Sequence, residues 1–350
     1  MTLVLARRSI LAAALMALVL PLSPQVARAD GEVNVYSYRE PQLIDPLLRA
    51  FEKATGIKVN SIFAKEGLVE RVSAEGASSP ADVLLVTEFG LLSQAKDAGI
   101  TQKLTTPAIE SAIPAEYRDP EGQWVGLTRR ARALFVSRER VQQETFTYEE
   151  LADPKWKGKI CTRSGQHTYN IALFASMLAH HSPAETETWL RALRDNLAHK
   201  PSGTDRDQIK SVFAGECDIA IGNTYYLGQM LTNDRQPEQK EWAASVRLVF
   251  PNAGDRGTHV NISGAALMRN APHRDNAVKL IEYLASEEAQ RLYASLNHEY
   301  PVRAGVEASD LVKSWGPLRA DPLPLAKIGQ LRKAASELVD KTAFDDGPGQ

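Results

Sequence analysis

The sequence predicts an α/β protein of two lobes, and three observations carry that prediction. Short apolar runs alternate with stretches whose apolar residues recur at helical spacing, the pattern of a sheet with helices on its faces. At 350 residues the chain is longer than one core usually serves. Two such alternating regions also flank an arginine-rich tract, Thr128-Arg129-Arg130-Ala131-Arg132, which reads as a connection between lobes.

The N-terminus has export features. Arg7 and Arg8 precede an apolar run, Ile10 to Leu20, and Ala27-Arg28-Ala29 is a small-x-small cleavage site. The run is too short to span a bilayer, so residues 1–29 are expected to be a removable signal peptide and the mature chain periplasmic. Arg7-Arg8-Ser9-Ile10-Leu11 approximates a twin-arginine signal, and an ordinary secretory signal fits equally well. No later stretch is long and apolar enough for membrane insertion. With Arg7, Arg8 and Arg28 gone, 38 basic residues face 43 acidic ones, a formal net charge of −5. That excludes the basic footprint of a nucleic-acid binder.

Val33 to Tyr36 reads as the first strand, leading into Ser37-Tyr38-Arg39-Glu40-Pro41. Leu43, Ile44, Leu47, Leu48 and Phe51 follow at helical spacing. Pro46 fits a first turn after Asp45 or marks a kink, and Gly56 fits a left-handed cap. Ile57 to Phe63 is a second strand, Leu68, Val69 and Val72 mark a helix, and Val83 to Val86 is a third strand before Thr87-Glu88. Arg39, Glu40 and Glu88 thus fall just beyond strand carboxyl ends, on one rim. In the connection, Trp124–Leu127 and Ala133–Val136 read as strands. Alternation sends Arg130 and Arg132 to the same side, where they form a solvated face or an anion site.

The second α/β unit opens with a strand, Ile160 to Thr162. A polar loop, Arg163 to Asn170, then starts a helix with Ile171, Leu173, Phe174, Met177 and Leu178 on its apolar face. Tyr169 therefore sits at a helix start, where backbone N–H groups favour anions. Further helices span Glu187–Leu197 and Asp207–Phe213. Ile219 to Ile221, bounded by Gly222 and Asn223, is a buried strand that delivers Tyr225 and Tyr226 past its carboxyl end. Ligands collect there in open α/β sheets, although two half-buried aromatics are an ordinary outcome too. Val246–Phe250 and Asn261–Leu267 read as strands returning through the connection. Helices follow at Ala277–Ala285, Glu287–Ser295 and Leu325–Val339, before a polar tail, 341–350, expected to be flexible. The lobes expected from this reading are 30–128 with 262–305, and 129–261 with 306–340.

An exported chain with two cysteines can form one disulfide. Cys161 lies eight residues before Tyr169, and Cys217 eight before Tyr225. On neighbouring strands, a bridge would tie the bases of two ligand-bearing loops; the alternative is two buried free thiols.

Catalytic motifs are missing. There is no Gly-x-Ser-x-Gly elbow, no His-Glu-x-x-His, no Gly-x-x-x-x-Gly-Lys loop and no Gly-x-Gly-x-x-Gly fingerprint. His180 and His181, adjacent on a helix, point to different faces. His167 reads as a hydrogen-bonding loop residue. The tyrosines point elsewhere. Ionising a phenol at neutral pH costs about 4 kcal/mol, and a cluster of phenolates needs a strong cation. Hard, highly charged cations prefer oxygen donors and drive deprotonation, so Fe³⁺ suits such a cluster, whereas zinc prefers His and Cys. Three phenolates neutralise Fe³⁺, and an arginine pair can hold an anion that completes the shell.

The chain resembles the periplasmic ferric-iron-binding proteins, the solute-binding components of ABC-type iron importers. The residues carrying the resemblance are Val35-Tyr36-Ser37-Tyr38-Arg39-Glu40, Phe51-Glu52-Lys53-Ala54-Thr55-Gly56-Ile57, Pro80-Ala81-Asp82-Val83, Arg130-Ala131-Arg132, Trp156-Lys157-Gly158, Gly222-Asn223-Thr224-Tyr225-Tyr226 and Asn297-His298-Glu299-Tyr300-Pro301-Val302. They extend over nearly all of the mature chain. The resemblance implies a two-lobed periplasmic-binding-protein fold, type II-like, each lobe a mixed sheet flanked by helices, with hinge strands that let the lobes close over Fe³⁺. It implies Tyr225 and Tyr226 as paired ligands. Tyr169 matches a third ligand in one branch, where a cysteine pair like Cys161 and Cys217 also occurs.

Many members carry His, or His-Tyr, where this chain has Glu40-Pro41, and some use a glutamate in the segment matching Thr87-Glu88. Candidate first-lobe ligands are therefore Glu40, Glu88 and Tyr38, or that lobe supplies only Arg39 and an anion. The expected anion site is Arg39 and Arg132, with Arg130 beside them, holding carbonate or a similar anion. The expected protein is a monomeric, non-enzymatic receptor serving an ABC-transporter permease. Rival expectations are a receptor for a polyamine or other organic solute, caged by the tyrosines, and an exported enzyme using a tyrosine as acid or base.

Overall fold

The computed structural model describes residues 31–349; the expected signal peptide lies outside them. The first lobe begins as the alternating pattern requires. Strand β1 (Glu32–Ser37) leads to helix α1 (Pro41–Thr55), strand β2 (Lys58–Phe63), helix α2 (Leu68–Glu75), strand β3 (Val83–Val86) and helix α3 (Phe89–Asp97). The strands β2, β1 and β3 are parallel neighbours. Ile44, Leu47, Leu48 and Phe51 line the buried face of α1, which ends at Gly56 with φ of 75°. Pro46 lies inside α1 rather than in its first turn, because the helix already starts at Pro41. Helix α4 (Pro107–Ala112) completes this half.

The connection is one strand, not two. Strand β4 (Val125–Ser137) runs without interruption through the arginine tract. Its arginines do not break it because each face of the strand takes its share: Arg130 and Arg132 turn toward Tyr169, and Arg129 turns to the other face and donates to the Tyr117 hydroxyl at 3.1 Å. Its second half pairs with strands of the second lobe, after β5 (Ile160–Cys161), helices α5 (Thr168–His180), α6 (Pro183–Asp195) and α7 (Asp205–Phe213), and strand β6 (Ile219–Asn223). Helices α8 (Thr224–Leu231) and α9 (Glu238–Ala244) and strand β7 (Val246–Val249) follow. Strand β8 (Val260–Leu267) then returns, pairing antiparallel with the first half of β4 and with β3. The order is β2-β1-β3-β8-β4-β6-β5, with β7 attached to β4. Thus β4 and β8 join the two lobes. Contrary to expectation, β7 does not cross: it pairs only with Leu134–Ser137, the second-lobe end of β4.

Helices α10 (Arg274–Leu284) and α11 (Glu287–Asn297) cover the first lobe, and strand β9 (Tyr300–Pro301) pairs with β4 at Thr128 and Arg129. After α12 (Asp310–Lys313), helix α13 (Leu325–Lys341) buries Ile328, Ala335, Leu338 and Val339. The tail expected to be flexible is docked. Phe344 is fully buried and meets Phe174 of α5 edge-on at 5.4 Å. Asp345 accepts from the Gly165 N–H at 2.6 Å and the Ser164 hydroxyl at 2.6 Å. One aromatic and one carboxylate with ready partners suffice to order a polar tail. No helix among the described residues is long and apolar enough to cross a membrane.

Candidate metal centre

Strands β5 and β6 are parallel neighbours in register at Ile160–Ile219 and Cys161–Ala220. Both therefore end at the same edge, and each is followed by a helix that starts there. Tyr169 is the second residue of α5; Tyr225 and Tyr226 are the second and third of α8. The N-terminal dipole of each helix favours negative charge on those side chains. Cys161 and Cys217 form the disulfide, with Cα atoms 5.9 Å apart. It ties the strands together just below the tyrosines.

The three phenols converge. The Tyr169 and Tyr225 hydroxyl oxygens are 3.2 Å apart, and the Tyr225 and Tyr226 rings lie 4.3 Å apart between centroids. All three line a cavity of about 480 Å³ between the lobes. Burial, then the neighbouring phenols Tyr169 and Tyr226, push the Tyr225 hydroxyl well above the ordinary phenol range. Burial and Tyr169 raise Tyr226 in the same way. Without a cation Tyr225 and Tyr226 are therefore neutral, and the Tyr169 and Tyr225 hydroxyls share a hydrogen bond. His167 caps α5 by accepting from the Tyr169 N–H through Nδ1 at 3.2 Å. Burial, then the cationic Arg163, hold this imidazole down at about 3, so it stays a neutral acceptor.

Arginines surround the phenols. The guanidinium carbons of Arg163 and Arg130 lie 5.3 Å and 5.8 Å from the Tyr169 ring centre, and that of Arg206 lies 4.8 Å from that of Tyr226. Arg163 and Arg206 had no signal beyond their charge. Arg130 and Arg132 of β4 point to one side as alternation required, but their situations differ. Arg132 is fully engaged: it donates to Asp205 at 2.7 Å, to Asn170 at 2.7 Å and to Asn223 at 3.2 Å. Arg130 is buried, at 1% exposure, and none of its guanidinium nitrogens has a partner. Arg132, expected as an anion holder, is here an ion-paired residue, and Arg130 beside it has no partner.

The first lobe also rearranges the expected roles. Arg39 donates to both oxygens of Glu299, at 3.0 Å and 3.1 Å. Burial opposes its charge, but Glu299 outweighs burial and raises the guanidinium pKa. Arg39 is therefore a neutralised cation at the cleft floor rather than a free anion holder. Glu88 is fully buried and turned away from the cavity. It caps α3 by accepting from the Gly90 N–H at 2.8 Å and pairs with Arg332 at 3.1 Å, while its neighbour Thr87 lines the cleft. Expected as a candidate ligand, Glu88 is here a helix cap and ion-pair partner. Tyr38 lines the cavity, yet its hydroxyl oxygen accepts from the Val69 N–H at 2.9 Å, and burial raises its pKa. Glu40 is partly exposed on the cavity wall and accepts from Gln42 at 2.6 Å. No group of three His, Cys, Asp or Glu side chains suited to a metal exists among the described residues.

Comparison with known proteins gives the family and the fold. The family model described as "Bacterial extracellular solute-binding protein" matches residues 78–319. The chain is 41% identical to iron uptake protein A1 of Synechocystis over 329 residues, covering 92% of this chain and 91% of that one. Its backbone superposes on the apo ferric ion-binding protein A of Pasteurella haemolytica with a TM-score of 0.86 and 50% identity, over 90% of this chain and 98% of the other. A Trichodesmium protein solved with iron and citrate ligands gives a TM-score of 0.85 at 40% identity, over 90% and 100%.

Proposed function

The chain belongs to the bacterial extracellular solute-binding proteins, and from that membership we propose that it captures Fe³⁺ in the periplasm and delivers it to an ABC-transporter permease. The observation that carries the reading is the 3.2 Å approach of the Tyr169 and Tyr225 oxygens, with Tyr226 stacked beside them. Phenols this buried ionise only for a cation that strongly prefers anionic oxygen. Three phenolates balance the charge of Fe³⁺. Tyr169, Tyr225 and Tyr226 are the ligands in this reading.

The remaining coordination positions fall to a small anion and to the first lobe. Arg130, buried without a partner, is the cation best placed to hold carbonate or another small anion against the metal. Glu40 is one of three carboxylates on the first-lobe wall of the cavity, with Glu66 and Glu70. Closure would be a hinge motion on β4 and β8 that brings this wall toward the phenolates. A monomer suffices, because one chain supplies both walls of the cleft. A polyamine fits poorly: Arg130, Arg163 and Arg206 crowd the tyrosines, and like charges at these distances repel a polycation. A tyrosine-based enzyme fits poorly as well, since His167 already accepts the Tyr169 N–H.

The test is colour and metal content. The mature chain loaded with ferric citrate should bind iron and show phenolate-to-iron charge-transfer absorption in the visible. The Tyr225→Phe, Tyr226→Phe double variant should lose the band and at least ~100-fold in affinity, about 2.7 kcal/mol. A protein that stays colourless and iron-free refutes the function, and an undiminished double variant moves the site elsewhere.

A further inference from the structure

Helix α13 packs against both lobes. Toward its start, Gly329 lies so close to α3 that a Cβ there would come within 2.8 Å of the Phe89 ring. Toward its end, Val339 and the following Phe344 fill the space under Gly165, where a Cβ would meet them at 3.0 Å and 2.7 Å. Between these contacts the helix holds the loop that precedes Tyr169. Gln166 donates to the Ser336 carbonyl at 3.0 Å and to Asp340 at 2.7 Å.

Arg332 is the side chain that reaches both lobes at once. Its Nη2 donates to the Thr168 hydroxyl at 2.8 Å, one residue before Tyr169. Its Nη1 donates to Glu88 Oε2 at 3.1 Å, at the start of α3 in the first lobe. Glu88 is fully buried and its other oxygen has no partner, so the carboxylate depends on this arginine. Space for the guanidinium comes from Gly90, where a Cβ would lie 2.3 Å from Arg332 Cζ. A buried carboxylate on one lobe is thus joined through one planar fork to the residue that begins α5 on the other.

We infer that Arg332 is a positioning residue that ties the seating of the Tyr169 phenolate to the relative orientation of the lobes. The inference rests on the iron-binding reading above. In the open cleft Arg332 fixes Thr168 and the first turn of α5. A rotation of the first lobe that shifts Glu88 pulls on the same fork, so domain motion reaches the metal ligand without touching the metal.

The experiment compares the mature chain with Arg332→Gln, both loaded from ferric citrate. Charge-transfer absorption and iron release to excess EDTA are followed together. The variant should show a shifted band and release roughly tenfold faster, the size expected for losing the charge-assisted hydrogen bond that seats Thr168. Adding Tyr169→Phe to Arg332→Gln should accelerate release much less than adding it to the unaltered protein, because the two act through one contact. Arg332→Lys, which keeps the charge but cannot fork, should fall between. A merely structural role would lower the unfolding midpoint and leave the band in place. If Arg332→Gln does not unfold cooperatively, Thr168→Val carries the same expectation, since it removes only the hydroxyl. A wild-type band and release rate, or full additivity with Tyr169→Phe, overturns the inference while iron binding by the unaltered protein stands. An unaltered protein that takes up no iron overturns the binding reading and this inference with it.

Discussion

Asp205 sets the charge balance beneath the tyrosines. It is fully buried, accepts from Arg132 at 2.7 Å, from Arg163 at 3.3 Å and from the Asn223 N–H at 2.8 Å. Burial alone would raise its pKa, but Arg132 and Arg163 outweigh burial and hold the carboxyl below its usual range. Asp205→Asn would leave two arginines facing each other with one neutral partner. Breaking a buried pair from one side costs about 3–5 kcal/mol, so the unfolding free energy from urea titration should fall by that amount; a change under about 1 kcal/mol would mean the arginines find other partners. This pairing explains what the sequence concealed. The tyrosines were legible because each follows a short buried strand, and strand ends position ligands. The division of labour between Arg130 and Arg132 was not. Alternation placed both on one side, but only the fold brings Asp205 to Arg132 and leaves Arg130 bare. The ion pair of Arg39 is hidden for the same reason: its partner Glu299 is 260 positions away.

The disulfide between β5 and the start of β6 acts at the scale of elements. It closes a segment with a sequence separation of 56, for which the chain-entropy account gives about 4 kcal/mol. Cys161→Ser with Cys217→Ser should therefore lower the unfolding free energy by roughly 2–4 kcal/mol in guanidinium titrations without reductant. Because the bridge also fixes the strands that lead into the helices carrying all three tyrosines, iron release should quicken as well. A loss of stability with an unchanged release rate would confine the bridge to the unfolded state. Most elements could be read from residue spacing, since α1, α5 and the short buried strands follow their apolar periods. The continuity of β4 could not: three arginines in five residues look like a break until each finds a place in the sheet or the cleft. The tail escaped for the opposite reason. Phe344 and Asp345 form no pattern of their own, and their partners, Phe174 and the Ser164–Gln166 loop, lie far back in the chain.

At the scale of the whole molecule, the buried histidines determine how the protein responds to acid. His259 is buried among arginines; burial first, then Arg132 and Arg130, push its pKa down to about 3. His167 is likewise held at about 3. In the unfolded chain both titrate near 6.5. Between those values the unfolded state binds protons that the folded state refuses, so stability falls as the pH falls through that window. Each such histidine costs up to about 1.4 kcal/mol per pH unit. Glu149 adds to this only at lower pH. Burial opposes its charge, but Asn252, His181 and Arg256 hold it at about 2, so its contribution is present above about 4.5 and lost as the pH drops toward 2. The iron-free protein should thus be less stable at pH 5 than at pH 7.5 by roughly 2–4 kcal/mol, with a steeper decline below pH 4.5. Guanidinium midpoints for the iron-free chain at pH 7.5, 6 and 5 check this directly. Equal midpoints would mean that the two imidazoles accept protons in the folded state. Tyr225 and Tyr226 sit far above this range in the iron-free protein, so their titration cannot produce the effect. Any further acid sensitivity of the loaded protein then reports protons competing with the metal for phenolate oxygen.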